Sequence, residues 1–253
     1  MRLHALSDLH IDGSEDPLLA AVVTLLEKKA EPGDVVVLAG DIFDIWVGNK
    51  ILFSQRYDSF LRACDVALTR GVQLHYIEGN HDFLLKQAFS DLVGLRLHAQ
   101  QFELDLAGKR FFFAHGDLVD PTDYGYRLLR LLFRSPVMRL FVQLVPGAGL
   151  DWLGSRSSAW SRRSGRRVLG AHSLGHLEKL RNSYRSFAAE KVAQGCDFVV
   201  MGHCHDLDEK LFRVGDREGQ YINVGFPRVH GSFLSWTEGD AKISRQRIEF
   251  LPR

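Results

Sequence analysis

Five short clusters of histidine, aspartate and asparagine recur along the sequence, and each directly follows a run of apolar residues. Imidazole and carboxylate groups together are suitable ligands for Mn, Fe, Zn or Co. No cluster of thiolates accompanies them, which disfavours a structural zinc site. The clusters therefore predict a catalytic metal centre. They are, in chain order, Asp8-x-His10, Gly40-Asp41-x-x-Asp44, Gly79-Asn80-His81-Asp82, His115-Gly116-Asp117 and Gly202-His203-x-His205.

The number of candidate ligands is larger than one metal ion needs. Two ions roughly 3.5–4 Å apart can share one carboxylate, clamp a phosphoryl group and generate hydroxide near neutral pH. We expect the glycines before Asp41, Asn80 and His203 to form sharp turns that direct these side chains into one crevice. The seven candidate ligands are Asp8, His10, Asp41, Asn80, His115, His203 and His205.

The apolar runs before the clusters predict the strands of an α/β sheet. Ligands bind beyond the carboxyl ends of the strands in such a sheet, so the loops that carry the clusters should meet in one crevice. Two amphipathic segments, 17–30 and 57–70, predict helices between the first strands. Short apolar segments late in the chain predict a second sheet packed on the first. The predicted strands cover 3–6, 35–39, 73–77, 102–106, 110–114, 197–201, 210–214, 220–224, 232–236 and 241–250.

The composition argues against several classes of protein. The 253 residues are 45% hydrophobic and 25% charged, unlike a disordered or coiled-coil chain. No apolar run reaches the ~20 residues of a membrane helix, and Met1 leads directly into a strand, so we expect neither a spanning helix nor a signal peptide. Three cysteines, an odd number, argue against a disulfide framework. A net charge of +1 disfavours nucleic acid as a partner, and no obligate protein partner is evident.

A basic segment, 121–191, interrupts the pattern of strands and predicts a helical cap inserted into a single domain of residues 1–253. It holds 13 Lys and Arg residues against 4 acidic ones, a net charge of +9. Pro136 interrupts its apolar run and predicts two short helices. The apolar side chains either line grooves for acyl chains or only pack the cap against the domain. Four interleaved arginines could contact phosphates or an anionic bilayer: Arg127, Arg130, Arg134 and Arg139.

In this order, the five clusters resemble the signature of the calcineurin-like metallophosphoesterases. The resemblance covers the chain except the insertion. It implies a four-layer α-β-β-α sandwich of two mixed sheets, with two divalent metal ions, in that family usually Mn²⁺, at the sheet ends. It implies one ion held by Asp8, His10, Asp41 and His205, and the other held by Asp41, Asn80, His115 and His203.

The same resemblance implies roles for the other cluster residues. A hydroxide held by the metals would attack phosphorus in line. His81 would face the scissile phosphate and protonate or stabilise the leaving oxygen, and Asp82 would orient its ring. Asp44 and Asp117 would support the ligands from behind.

A closer resemblance, over nearly the full length, links the chain to the UDP-2,3-diacylglucosamine pyrophosphohydrolase family of lipid A biosynthesis. It implies hydrolysis of a nucleotide-linked diacyl sugar to UMP and 2,3-diacylglucosamine 1-phosphate (lipid X). The enzyme would be cytoplasmic and peripheral on the anionic cytoplasmic face of the inner membrane. The implied substrate contacts are Asn80, His81, Tyr126, Ser157, Arg162 and Arg163. The matching segments are 41–48 (DIFDIWVG), 79–85 (GNHDFLL), and 115–117 (HGD) followed by 123–126 (DYGY).

One departure from that family leaves alternatives open. In its best-known branch an arginine follows the asparagine ligand, whereas this chain has His81. Arginine supplies a fixed charge, and histidine can supply a proton. The chain is therefore either a His-bearing branch of the same enzyme or a less specific metal-dependent phosphodiesterase or phosphatase acting on soluble nucleotides or other diesters. A nuclease with a basic cap and a non-catalytic scaffold are further alternatives, and the complete ligand set argues against the scaffold.

Overall fold

The computed structural model describes residues 1–153 and 174–248, and the predicted substrate contacts Ser157, Arg162 and Arg163 lie outside them. The strands are β1 (Arg2–Leu6), β2 (Val35–Leu38), β3 (Trp46–Val47), β4 (Gln73–Ile77), β5 (Asp82–Phe83), β6 (Arg96–His98), β7 (Gln101–Leu106), β8 (Lys109–Ala114), β9 (Phe198–Met201), β10 (Glu209–Val214), β11 (Arg217–Asn223), β12 (Ser232–Thr237) and β13 (Ser244–Arg247). The helices are α1 (Pro17–Thr24), which continues as a π-helical turn (Leu25–Lys29), α2 (Ile51–Arg56), α3 (Asp58–Thr69), α4 (Tyr124–Phe133), α5 (Pro136–Leu144), α6 (Leu174–Ala193) and α7 (Pro227–His230). None of these helices is long and apolar enough to cross a bilayer.

Two mixed sheets form the centre of the protein. The first has the strand order β13-β12-β1-β2-β4-β6, and the second has the order β10-β11-β9-β8-β7. Strands β1, β2, β4 and β6 run parallel, as do β8, β9 and β11. The prediction that all late strands join the second sheet is wrong for the last two. Strand β12 instead pairs antiparallel with β1 and brings β13 into the first sheet.

Three apolar clusters separate four layers. Alternation along β1 directs Leu3 and Ala5 into the space between the sheets, where Phe111 of β8 also lies. Helices α1 and α3 cover the other face of the first sheet and bury Leu38 of β2. Helix α6 covers the outer face of the second sheet and buries Ala188 there. The resulting α-β-β-α sandwich confirms the predicted fold class.

The predicted insertion contributes both a cap and part of the sandwich. Helices α4 and α5 are separated at Ser135, whose Oγ accepts the backbone N–H of Met138 at 3.1 Å and caps α5. Pro136 occupies the first turn of α5, so the predicted break at this proline is confirmed. Helix α6 packs on the second sheet. The predicted end of the insertion at residue 191 therefore lies inside an outer layer of the sandwich.

Candidate metal centre and adjoining cavity

The carboxyl ends of both sheets bring the predicted ligands to one edge of the sandwich. The first sheet supplies the loops after β1, β2 and β4, and the second supplies the loops after β8 and β9. Six of the seven candidates form two groups in which the ligand atoms lie within 4.8 Å of one another. The groups are Asp8, His10 and His205, and Asp41, His115 and His203.

Asp41, a member of the second group, also faces the first. Its Oδ2 is 3.9 Å from Nε2 of His10 in the first group and 3.5 Å from Nε2 of His115 in the second. Its Oδ1 accepts the backbone N–H groups of Asn80 at 2.8 Å and His81 at 2.9 Å. Burial would raise the pKa of Asp41, but the neighbouring His115 and His81 hold it well below its usual value. An ionised carboxylate oxygen facing both groups suits a shared ligand.

His115 shows why a cation fits the second group. Its Nδ1–H donates to the carbonyl oxygen of Ala39 at 3.0 Å, so Nε2 carries the lone pair of the neutral ring. That Nε2 lies 3.2 Å from Oδ1 of Asn80 and 3.2 Å from Nδ1 of His203. Burial lowers the pKa of His115, but the charge of Asp41 outweighs burial and raises this pKa to about 10. The pocket therefore favours a positive charge among these atoms, which a proton or a divalent cation can supply.

Asp8 gives matching evidence in the first group. Its Oδ2 accepts the Ser7 Oγ–H at 2.6 Å and the backbone N–H of His203 at 2.9 Å. Its Oδ1 lies 3.3 Å from Nε2 of His205 and is buried, with no hydrogen-bond partner among the described residues. A buried carboxylate oxygen without a hydrogen bond is costly, and a divalent cation would satisfy it. The donor atoms of both groups therefore fit the two expected metal ions.

Five of the seven candidate ligands have a backbone φ in the left-handed region. Non-glycine residues adopt this region rarely, and such strain persists where the surrounding structure enforces it. A Cβ at Gly79 would lie 2.1 Å from Oδ1 of Asp41, and a Cβ at Gly202 would lie 2.1 Å from Oγ of Ser7. These two glycines thus make room for the neighbouring side chains, whereas left-handed turns occur at the ligands themselves. The five are Asp8 (55°), His10 (47°), Asp41 (53°), His203 (68°) and His205 (56°).

His81 lies beside the first group, with its ring centroid 4.8 Å from that of His10. Its Nδ1–H donates to the carbonyl oxygen of Asp44 at 2.8 Å, and the residue lines the adjoining cavity. Burial lowers the pKa of His81, but the charge of Asp41 and the bond to Asp44 outweigh burial and leave this pKa raised. The Asp44 carboxylate lies behind the first group, with Oδ1 3.9 Å from Nδ1 of His10.

Asp82 was predicted to orient the ring of His81, but its carboxylate binds the backbone of the ligand loops instead. Its oxygens accept the backbone N–H groups of Asp41 at 3.0 Å, Ile42 at 2.7 Å and Gly79 at 2.8 Å, and the phenol of Tyr76 at 2.5 Å. The side chain therefore ties two ligand loops together from beneath. The difference arises because successive side chains of an extended segment point to opposite faces.

Two internal ion pairs attach the cap helix α4 to the edge of the sandwich that holds the candidate ligands (the metal edge). Asp117 accepts hydrogen bonds of 2.6 Å from Oη of Tyr126 and from Nε of Arg130. Arg134, at the end of α4, pairs with Glu78 at 2.5 Å. The charges of Arg130 and Arg134 are thus compensated inside the protein, contrary to the expectation that these arginines contact phosphates or a bilayer.

Sequence reasoning missed several residues that hold the ligand loops. Asn223, at the end of β11, donates from Nδ2 to the carbonyl oxygen of Gly202 at 2.9 Å. Arg228 donates to the carbonyl oxygen of His10 at 2.8 Å. The ring of Phe226 stacks on His205 with centroids 4.5 Å apart. Asn223 ends strand β11 of the second sheet, and Phe226 and Arg228 follow that strand, so the position at a strand end is the signal that could have identified them.

Two arginines of helix α6 form ion pairs with the loop that follows His205, and these two pairs together are called the clamp. Arg181 binds Asp206 through hydrogen bonds of 2.5 and 2.9 Å, and Arg185 binds Asp208 through bonds of 2.9 and 2.5 Å. Arginines four residues apart share a helix face, and aspartates two residues apart share one side of an extended chain, so the pairs form together. Because Asp206 directly follows His205, this clamp supports a ligand with a strained backbone.

Removal of the clamp should weaken metal binding. We expect Arg181→Ala to bind the more weakly held Mn²⁺ about 10- to 100-fold less tightly, the usual effect of losing a residue that supports a ligand. Calorimetric titration of the metal-free protein with Mn²⁺ measures this. Arg213→Ala is the matched control, because its ion pair with Glu218 is exposed and remote from the ligands. Equal affinities in the two variants would contradict the supporting role.

An apolar cavity of about 470 Å³ adjoins the metal edge and runs beneath α4 and α5. Asn80 and His81 line it at the metal edge. The remainder is lined mainly by aliphatic and aromatic side chains of the core and the cap. They include Val47, Phe83, Leu129, Phe133, Met138 and Phe141. The site therefore joins a polar, cation-binding end to an apolar compartment.

Comparison with known proteins agrees with this architecture. The family model described as calcineurin-like phosphoesterase matches residues 1–207. A UDP-2,3-diacylglucosamine hydrolase of Klebsiella pneumoniae subsp. pneumoniae is 31% identical over 239 residues, which cover 94% of this chain and 96% of the relative. A protein of the same name from Aeromonas salmonicida is 26% identical over 251 residues, or 97% and 94% of the two chains. The chain belongs to the calcineurin-like phosphoesterase family and is a metal-dependent hydrolase.

Proposed function

We propose that the protein hydrolyses the pyrophosphate bond of UDP-2,3-diacylglucosamine and releases UMP and 2,3-diacylglucosamine 1-phosphate (lipid X). The observation that carries this proposal is the apolar cavity that begins at Asn80 and His81. A diphosphate with two acyl chains has the same two-part chemistry, with a charged reacting group attached to long apolar chains. The relatives named UDP-2,3-diacylglucosamine hydrolase support the same substrate.

The side chains of the two groups would hold two divalent cations, for which Mn²⁺ is our expectation. Such a pair supplies a hydroxide nucleophile near neutral pH and offsets the negative charge of the phosphates. The protein contributes a rigid frame for them, since hydrogen bonds to backbone groups fix Asp41 and His115. The ligands would be Asp8, His10 and His205 on one side, Asn80, His115 and His203 on the other, and Asp41 between them.

His81 would assist departure of the sugar phosphate. Its Nδ1 proton is held by the carbonyl oxygen of Asp44 at 2.8 Å, so any further proton resides on Nε2. The raised pKa of His81, set by Asp41 against the effect of burial, favours this doubly protonated ring. Nε2–H can then donate to the leaving phosphate oxygen or transfer its proton to it.

The acyl chains would enter from a bilayer that faces α4 and α5. These helices expose a row of apolar side chains, and a sandwich with one such surface suits attachment to a membrane without crossing it. The exposed fractions are 70% for Leu128, 71% for Leu131, 73% for Val137, 56% for Leu140 and 75% for Leu144. We propose that this surface rests on the cytoplasmic face of the inner membrane.

A larger side chain in the cavity should slow hydrolysis of the lipid substrate but not of a small phosphodiester. Leu129 lines the cavity and its neighbour Leu128 does not. We expect Leu129→Trp to lower kcat/KM for the diacyl substrate about 10- to 100-fold, because each methylene kept from burial costs ~0.8 kcal/mol. Turnover of a small chromogenic phosphodiester should change less than about two-fold, since the metal ligands are untouched. UMP release from detergent-dispersed substrate provides the measurement.

Leu128→Trp is the matched control, with the same substitution on the same helix. It should leave both activities close to those of the unaltered protein. If Leu129→Trp cleaved the diacyl substrate at the normal rate, the acyl chains would not occupy this cavity. If it lost both activities equally, the substitution would have disturbed the metal edge instead.

A further inference from the structure

A second cavity, of about 620 Å³, lies beside α5. It shares only Arg134 and Val142 with the substrate cavity, and no candidate metal ligand lines it. The side chain of Val142 packs so closely on Gly48 that a Cβ there would lie 2.7 Å from its Cγ1. This contact helps to separate the two cavities, so the second one is a distinct compartment.

The lining of the second cavity is strongly basic. It contains Lys50, Lys86, Arg134 and Arg139 and a single carboxylate, Glu78. Glu78 is already paired with Arg134 at 2.5 Å. Within residues 1–153 and 174–248, the other three cations form no ion pair. Nζ of Lys50 donates to the carbonyl oxygen of Gln143 at 3.0 Å, which does not neutralise its charge, so three positive charges in the cavity face no carboxylate of their own.

The cavity also has an apolar part, beside the polar Asn49, Gln87 and Gln143. Leu84, Leu97 and Val142 line the same cavity. On α5, Leu140 follows Arg139 and Leu144 follows Gln143, and these two leucines are 56% and 75% exposed. A small anion would not bury these exposed leucines, whereas an amphiphile would cover them with its acyl chains.

We propose that this cavity binds the phosphate headgroup of an anionic bilayer phospholipid, with the acyl chains leaving along Leu140 and Leu144. Lys86 and Arg139 would contact the phosphate, since ammonium and guanidinium groups both donate charge-assisted hydrogen bonds to phosphate oxygens. The bound lipid is not a substrate, because the cavity lies apart from the metal ligands. The proposal thus goes beyond the hydrolysis and does not depend on which nucleotide sugar is cleaved.

The test is binding of dihexanoyl-phosphatidylglycerol below its micellar concentration to the Mn²⁺-loaded protein, followed by calorimetry. We expect one lipid per chain. The variant Lys86→Gln with Arg139→Gln should bind roughly 25-fold more weakly, because one basic residue near an anionic lipid contributes about five-fold in affinity. The control variant Lys28→Gln with Lys242→Gln loses the same charge from exposed positions outside the cavity and should bind as the unaltered protein does. Turnover of a small chromogenic phosphodiester should be unchanged in both, which verifies their folding.

A neutral variant separates the cavity from surface charge. Ala99→Trp, at an exposed position of the lining, should obstruct the cavity and abolish the one-to-one binding. Equal weakening in the two charge variants would overturn the proposal in favour of diffuse attraction. Displacement of the lipid by inorganic phosphate or UMP at comparable concentration would overturn it in favour of a soluble phosphate ligand.

Discussion

Asp41→Asn is expected to lose its divalent cations and about 10³-fold or more of its activity while keeping its fold. The amide Oδ1 can still accept the backbone N–H groups of Asn80 and His81, which the carboxylate binds at 2.8 and 2.9 Å. The amide nitrogen, however, would replace the oxygen that faces His10 and His115. A neutral donor in that place removes the shared ligand of both groups, and with it the charge stabilisation of the transition state.

The measurement for Asp41→Asn is the metal content per chain after gel filtration, together with turnover of a chromogenic phosphodiester. Asp65→Asn makes the same chemical change at an exposed position of α3 and should retain metals and activity. Two cations per chain and full turnover in Asp41→Asn would refute the shared-ligand arrangement. Loss of one cation only would show that Asp41 serves a single metal.

His81→Gln should keep both cations and lose about 10²- to 10³-fold in kcat, the usual contribution of a general acid. The glutamine amide is neutral and similar in length to the imidazole, but it cannot transfer a proton. The loss should shrink as the leaving group becomes more acidic, because an acidic leaving group needs no proton. A series of aryl phosphodiesters with phenols of different pKa measures this dependence.

His81 also lies within 4.8 Å of potential ligand atoms of His10 and Asp44. A cation lost from His81→Gln would therefore make His81 a ligand and not a proton donor. An equal loss of kcat for all aryl diesters would assign it a role in binding the phosphate. Both outcomes would contradict the role proposed for it here.

The position of the metal centre could be predicted from sequence because each ligand cluster follows the carboxyl end of a strand. Continuous apolar runs such as Val35–Leu38 are buried on both faces, and parallel strands deliver the residues after them to one edge. The order of the strands could not be predicted in the same way. The pairing of β12 with β1 joins segments more than 220 residues apart, which no local pattern encodes.

The roles of individual polar residues were also hard to predict from sequence. Asp82 follows His81 in the chain, yet its side chain points to the opposite side and binds the backbone of Asp41 and Ile42. Arg130 and Arg134 resemble surface charges on an amphipathic helix, but Asp117 and Glu78 are brought to them by the folded sheet. Such pairings depend on tertiary contacts, so the sequence indicates only the residue types.

We propose that this chain cleaves UDP-2,3-diacylglucosamine, and UMP release from that compound by the Mn²⁺-loaded protein measures this reaction. The deacylated analogue and a small chromogenic phosphodiester should be assayed beside it at equal concentration. We predict a kcat/KM at least about 10²-fold higher for the diacyl compound, because its acyl chains would gain burial in the apolar cavity beside His81. Equal turnover of all three would contradict this substrate preference and indicate a phosphodiesterase of broad specificity.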